Sequence, residues 1–193
     1  MPKKTRNTKT KIVEAAWDLF YRQGYDETTV DDIVEQSQTS KGSFYHYFES
    51  KDALLGSLAY LFDNKYEELK DRIDPKMNSF DVLLFLNKEL FDLIDNKIDQ
   101  TLIVNLYSTQ LIKKGEKSLL DNDRFYYKLL RQIVSCGQEK GELTDTMTVN
   151  EIVRYYAMCE RTLISEWCLS NFTFSLKLFA ENNFPKLLSC LKK

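Results

Sequence analysis

Apolar residues three and four apart mark the first element, where Ile12, Ala15, Ala16, Leu19 and Phe20 form one stripe of a helix. Gly24 suits the left-handed cap that ends it, and Tyr25 is placed to fold back on the last turn. Thr29 then offers a hydroxyl as N-cap for a second helix. Asp31 and Asp32 lie in its first turn, where acids complement the dipole, and Ile33 and Val34 on its inward side. Ser37, Gln38 and Thr39 break the pattern, so this helix is short, and Ser40 caps the next one.

The segment 41–48 is the informative one. Phe44 and Phe48, four apart, share a face and anchor it to the first two helices. At about 100° per residue, Gly42 and His46 then point away from that anchor, flanked by Lys41, Ser43 and Tyr45. Glycine on an exposed helix face weakens the helix by roughly 1 kcal/mol against alanine. Local stability does not explain it, whereas close approach of a large partner surface does.

After Ser50 a long stripe of Leu54, Leu58, Leu61, Phe62, Leu69 and Ile73 runs to Pro75. A helix of that length spans about 35 Å, enough to leave a small N-terminal unit and enter a second core. Further helices are predicted near 78–95, 98–114, 119–140, 149–170 and 173–191. Gly141 ends the third of these, Thr148 and Glu151 form a capping box opening the fourth, and Pro185 should kink or split the last.

Composition agrees with an all-α chain. Only 3 prolines and 6 glycines punctuate 193 residues, too few for many short strands, while 43% of residues are hydrophobic. A net charge of -2 argues against coating nucleic acid or anionic membrane by bulk electrostatics, but the distribution is uneven. Lys3, Lys4, Arg6, Lys9 and Lys11 form a basic arm without an acid. Between Ile12 and Glu35 only Arg22 faces Glu14, Asp18, Asp26, Glu27, Asp31, Asp32 and Glu35. The arm reads as a locally placed contact or as a solvated tail. Cys136, Cys159, Cys168 and Cys190 form no close pair and sit in apolar helical patterns, so buried thiols in a reducing cytoplasm are expected. No apolar run is long enough to span a membrane.

Enzymatic chemistry finds little to work with. The single histidine, His46, lies on the exposed face of a short helix. The glycines make no phosphate-binding loop, and no cluster has metal-ligand spacing. Lys41 and Lys51, by contrast, each open a helix just after a serine, where the dipole already disfavours a cation. Such lysines point to an anion supplied from outside, and a nucleic-acid backbone is the expected source.

The run TTVDDIVEQSQTSKGSFYHYFESKDALL, residues 28–55, with AAWDLFYRQGYDETT before it, resembles the DNA-binding signature of TetR-type (tetracycline-repressor-like) transcriptional regulators. The resemblance implies an N-terminal three-helix domain, residues 1–51, with a helix-turn-helix at about 29–48. A long helix joins it to an effector-binding and dimerisation domain, residues 52–193. It implies that Thr29 caps the second helix against a phosphate and that Thr39, Ser40, Lys41, Gly42 and Ser43 open the recognition helix toward the groove. Tyr45, His46 and Tyr47 are then expected at phosphates and base edges, and Lys51 at a backbone phosphate. Where many relatives carry glycine in the turn, this chain has Gln38, which must bear the cost of left-handed backbone.

Beyond residue 52 the resemblance is one of layout. Ile152, Tyr156, Leu163, Trp167, Leu176, Phe179 and Leu187 make apolar stripes near the end of the chain, expected either to form a paired four-helix dimer surface or to close the monomer core. Phe62, Tyr66, Phe85, Tyr107, Tyr155 and Trp167 are candidate lining residues of an effector pocket. Glu160 and Glu166 interrupt an apolar helix, as counter-charges to a cationic ligand or as surface and interface acids. The function implied is a homodimeric repressor released from a double-stranded DNA operator by a small molecule, without cofactor. An architectural DNA-binding protein without effector and a helical interaction module are the alternatives.

Overall fold

The computed structural model describes residues 8–111 and 117–193, apart from the side chain of residue 60. Among them the regular structure is helical: α1 (Thr8–Gln23), α2 (Val30–Ser37), α3 (Lys41–Tyr47), α4 (Lys51–Lys70), α5 (Ser79–Lys97), α6 (Gln100–Leu111), α7 (Phe125–Glu139), α8 (Val149–Leu169) and α9 (Leu176–Leu187). Short 3-10 turns occupy Ser118–Leu120 and Ser189–Leu191. The chain divides into two compact units, Met1–Ala59 with Thr101–Leu119 and Tyr60–Gln100 with Leu120–Lys193, the first division falling inside α4.

In the first unit α1 ends as its pattern predicts. Gly24 takes φ 88°, and the Tyr25 ring returns to Phe20 with centroids 5.0 Å apart. Ile12, Ala16, Phe20, Ile33, Phe44, Leu54, Leu55 and Leu58 are buried, and Trp17 Nε1 donates to Ser57 Oγ at 2.8 Å, tying α1 to α4. Lys9 and Lys11 lie within α1, while Lys3, Lys4 and Arg6 of the basic arm lie outside the described residues.

In the second unit α5 packs against α7 and α9, and α8 against both of these. Asp95 fixes the start of α9, accepting from Ser175 Oγ at 2.6 Å, Leu176 N at 3.1 Å and Lys177 N at 3.0 Å. Tyr156 on α8 donates its hydroxyl to the Leu83 carbonyl of α5 at 2.9 Å.

Several boundaries differ from expectation for local reasons. α4 stops at Lys70, before Ile73 and Pro75. α7 starts at Phe125, not near 119, because the Asp121 side chain takes the Asp123 N–H at 2.9 Å and holds a turn. α9 starts only at Leu176, since Asn171 and Phe172 adopt left-handed backbone and Ser175 supplies the cap. It runs through Pro185 unsplit and ends two residues on at Leu187, so the proline sits in the final turn. α6 is described to Leu111, and the rest of the helix expected to 114 lies outside the described residues. Of the four thiols only Cys159 is buried: Cys136 and Cys168 are half-buried, and Cys190 is exposed on the last 3-10 turn.

Candidate nucleic-acid interface

α2 and α3 are each built by a capping residue already legible in the sequence. Thr29 Oγ1 accepts from Asp32 N at 3.2 Å, and Asp32 Oδ2 accepts from the Thr29 N–H and hydroxyl at 2.8 Å each, closing a reciprocal box. The backbone N–H of Thr29, then its hydroxyl, hold the Asp32 carboxyl below its usual range. At the other end Gln38 adopts φ 53° and ψ 43°, with its N–H on the Glu35 carbonyl at 3.1 Å and the Thr39 N–H on Val34 at 3.1 Å. Left-handed backbone at a residue with a Cβ costs about 1–2 kcal/mol. The turn geometry is thus that of a glycine cap made without glycine. Ser37 and Thr39 hydroxyls meet at 2.8 Å inside it.

Ser40 caps α3, accepting from Ser43 N at 3.1 Å. Phe44 and Phe48 are buried, and their rings lie 5.8 Å apart. The opposite side stays open: Lys41, Gly42, Tyr45, His46 and Tyr47 are exposed. A Cβ placed on Gly42 would meet only Ser40 Oγ at 3.8 Å. Tyr45 stands edge-on to Phe44 at 5.3 Å and His46 edge-on to Tyr47 at 4.8 Å, so the outward rings are braced by their neighbours.

The two lysines need a correction. Neither ammonium waits for an external anion in the free chain. Lys41 Nζ pairs with Asp31 Oδ1 at 2.7 Å, and this hydrogen bond raises the lysine above its usual range. Lys51 Nζ turns back onto the loop after α1, donating to the Tyr25 carbonyl at 2.7 Å and sitting 4.1 Å from the Tyr25 ring centroid. Tyr25 in turn gives its hydroxyl to Asp52. The reason is topological: α2 lays Asp31 beside the start of α3, and the loop carbonyls face the start of α4. The inference from unsatisfied charge therefore falls. The exposed Lys41–Asp31 pair remains open to exchange, because both side chains are in solvent.

Residues 12–58 match the family model for bacterial regulatory proteins of the tetR family. An uncharacterised HTH-type transcriptional regulator of Bacillus subtilis, YvdT, is 30% identical over 146 residues, which cover 75% of this chain and 74% of that protein. The chain belongs to the TetR family of bacterial transcriptional regulators. The Staphylococcus aureus HTH-type regulator QacR is 29% identical over 154 residues, covering 76% of this chain and 80% of its own. Among solved structures, Thermus thermophilus FadR, a TetR-family repressor in complex with lauroyl-CoA, shares the fold with a TM-score of 0.71 at 20% identity, covering 95% of this chain and 94% of that one. A TetR-family chain is a DNA-binding transcriptional regulator, not an enzyme. Among the described residues no helix is long and apolar enough to cross a membrane, and no group of metal-ligating side chains gathers.

The candidate effector residues of this TetR-family chain are scattered. Phe62 and Tyr66 are buried on α4 and Phe85 half-buried on α5, while Tyr107 belongs to the other compact unit. Tyr155 gives its hydroxyl to the Leu187 carbonyl at 2.8 Å, and Trp167 Nε1 donates to the Phe174 carbonyl at 2.9 Å, so both fasten the end of the chain. What the fold gathers around Tyr66 is a set the aromatic pattern missed: Tyr126, with ring centroids 4.9 Å apart, and through it Glu160 and Asn87. The available signal was polar residues on apolar stripes. Glu160 is not a surface acid, whereas Glu166 is exposed.

Proposed function

We propose that this TetR-family protein is a homodimeric repressor whose two α3 helices enter successive major grooves of a double-stranded operator. Residues 1–51 read DNA, and residues 52–193 dimerise and bind a small-molecule effector that favours a conformation no longer matched to the half-sites. The observation that carries the DNA contact is α3 itself. Its apolar anchor, Phe44 and Phe48, is buried, while Lys41, Gly42, Tyr45, His46 and Tyr47 are presented together. Ser40 and Ser43 supply hydroxyls at the start of α3, Thr29 and Thr39 are further candidate contacts from the cap of α2 and the turn, and Lys51 supports the adjoining loop while adding positive charge. Two-fold pairing is favoured because one seven-residue helix offers too few contacts for a specific site. The solved relative bound to lauroyl-CoA supports an effector-responsive reading.

The test uses an operator selected from random duplexes and follows binding by fluorescence anisotropy over a salt series. Lys41→Ala and Lys51→Ala should each weaken binding and reduce the salt slope by about one unit. Lys51→Ala should also lower the melting temperature, since it removes the bond to Tyr25. Slopes equal to wild type in both variants would defeat the phosphate assignment.

A further inference from the structure

The two lysines that open α3 and α4 are occupied in different ways. Lys51 gives its ammonium to neutral oxygens, the Tyr25 carbonyl at 2.7 Å and the Asp26 carbonyl at 3.5 Å, so these bonds leave its positive charge uncancelled. Lys41 gives its ammonium to a carboxylate, Asp31 Oδ1 at 2.7 Å, and that pair is electrically neutral. The pair stands in solvent, with the lysine side chain 61% and the aspartate side chain 68% exposed. Gly42, Tyr45, His46 and Tyr47 are exposed on the same short helix as Lys41.

The fold does not call for an acid at position 31. Asp32 closes the cap of α2, accepting from the Thr29 N–H and hydroxyl at 2.8 Å each, and Asp31 takes no part in that box. Asp31 is exposed, and the complement it offers to the α2 dipole is offered by Asp32 as well. What Asp31 does change is the charge shown to an approaching duplex. An ammonium has three donors and can touch two anions at once, but its single charge cannot neutralise both. Giving up the carboxylate forfeits a solvent-exposed ion pair, worth up to about fivefold in an equilibrium. The carboxylate is then left close to the incoming phosphate, and two like charges about 4 Å apart in water cost roughly another fivefold.

We propose that Asp31 is an internal stand-in for a DNA phosphate: it occupies Lys41 in the free protein, and the operator backbone must displace it, so that DNA affinity is held below what the α3 face would otherwise give. The inference rests on the reading of that face as the DNA contact and names the residue that opposes it. Phosphates are present in every duplex, so the opposition is independent of base sequence. It is ionic and exposed, so it fades as salt screens both the pair and the repulsion.

A double-mutant cycle on the full chain tests this, with Asp31→Asn, Lys41→Ala and the two together. Fluorescence anisotropy follows binding to the selected operator and to an unrelated duplex of the same length over a salt series. Asp31→Asn should bind both duplexes about three- to tenfold more tightly at low salt, with a steeper salt dependence than wild type. Asp31→Glu, which keeps the charge, should stay near wild type. In the Lys41→Ala background Asp31→Asn should gain less, because only the repulsion is left to remove. The melting temperature of free Asp31→Asn should be unchanged or slightly lowered, which separates the tighter complex from any gain in fold stability. Equal or weaker binding by Asp31→Asn overturns the inference, and weaker binding makes Asp31 a group that positions Lys41. A gain confined to the selected operator overturns it in favour of a base contact at this position. An equal gain with and without Lys41, or Asp31→Glu binding as tightly as Asp31→Asn, overturns it as well. If Lys41→Ala weakens binding and Asp31→Asn leaves it unchanged, the inference falls and the reading of the α3 face stands. If neither variant changes binding, the assignment of Lys41 to that face falls with it.

Discussion

Gly42 lacks a side chain at a place where the free protein would tolerate one. Its Cβ direction is open, and the helix it belongs to has only seven residues. Gly42→Ala should therefore stabilise the fold, by up to about 1 kcal/mol from helix propensity. The same change should weaken operator binding if DNA comes within van der Waals reach of this backbone. Chemical denaturation and anisotropy on one preparation separate the two effects, and a variant that gains stability without losing affinity would remove Gly42 from the interface. Glu160 is the mirror case, a side chain kept at a cost. Because burial raises its folded-state value above the usual 4.5, its contribution is favourable below that pH and is lost as pH rises through the folded value. Denaturation midpoints over a pH series should show Glu160→Gln close to wild type in acid and more stable at neutral pH. Coincident curves across the range would mean that the carboxyl titrates as an ordinary one. Asp32 and Glu151, held low by capping-box bonds to threonine N–H and hydroxyl groups, act with the opposite sign and favour folding above the usual carboxylate range.

Elements were legible where the signal is local. The caps Thr29, Ser40 and Thr148, the terminator Gly24 and the Phe44–Phe48 anchor all depend on residues within one or two turns of each other. Helix starts are not legible where a side chain competes for the backbone, as Asp121 does before α7, or where chain reversal uses non-glycine left-handed residues, as at Asn171 and Phe172. Gly137 shows how an element's interior is set by another element. In sequence it is a weak residue inside a helix. In the structure a Cβ there would lie 2.7 Å from Ser79 Cβ and 2.7 Å from Leu143 Cδ1, so the start of α5 and the loop after α7 close on it. Gly137→Ala gains about 1 kcal/mol of helix propensity, but relieving such contacts costs typically about 1–3 kcal/mol. The net effect should be a lower melting temperature by calorimetry. A rise would show that α5 and the 143 loop move aside freely.

At the scale of the whole molecule the apolar stripes near the end of the chain change meaning. Ile152, Tyr156, Leu163, Trp167 and Leu176 are buried in the protomer, so they close its own core and are not a dimer surface. The large apolar side chains left outside on α8 and α9 are Met158, Leu169, Leu178 and Leu187, with Leu169 79% and Leu178 58% exposed. These are the residues a paired helical interface would cover. Surface substitutions are usually worth less than about 0.5 kcal/mol to a monomer, so Leu169→Glu with Leu178→Glu should leave the circular dichroism of the folded protein nearly unchanged, while the unfolding midpoint loses its dependence on protein concentration. Sedimentation should show a monomer, and operator affinity should fall with it. A dimer that persists at micromolar concentration would place the interface elsewhere.

The sequence by itself determined the helical class, the caps and turn of the α2–α3 segment, and which face of α3 looks outward. These follow from periodicity and from hydrogen bonds spanning three or four residues. Only the tertiary structure decided the partners of Lys41 and Lys51, the inward turn of the α8 stripe, and the meeting of Asn87, Tyr126 and Glu160. Residues 73 positions apart, such as Asn87 and Glu160, are brought within 3.0 Å by helix packing, which no local periodicity encodes.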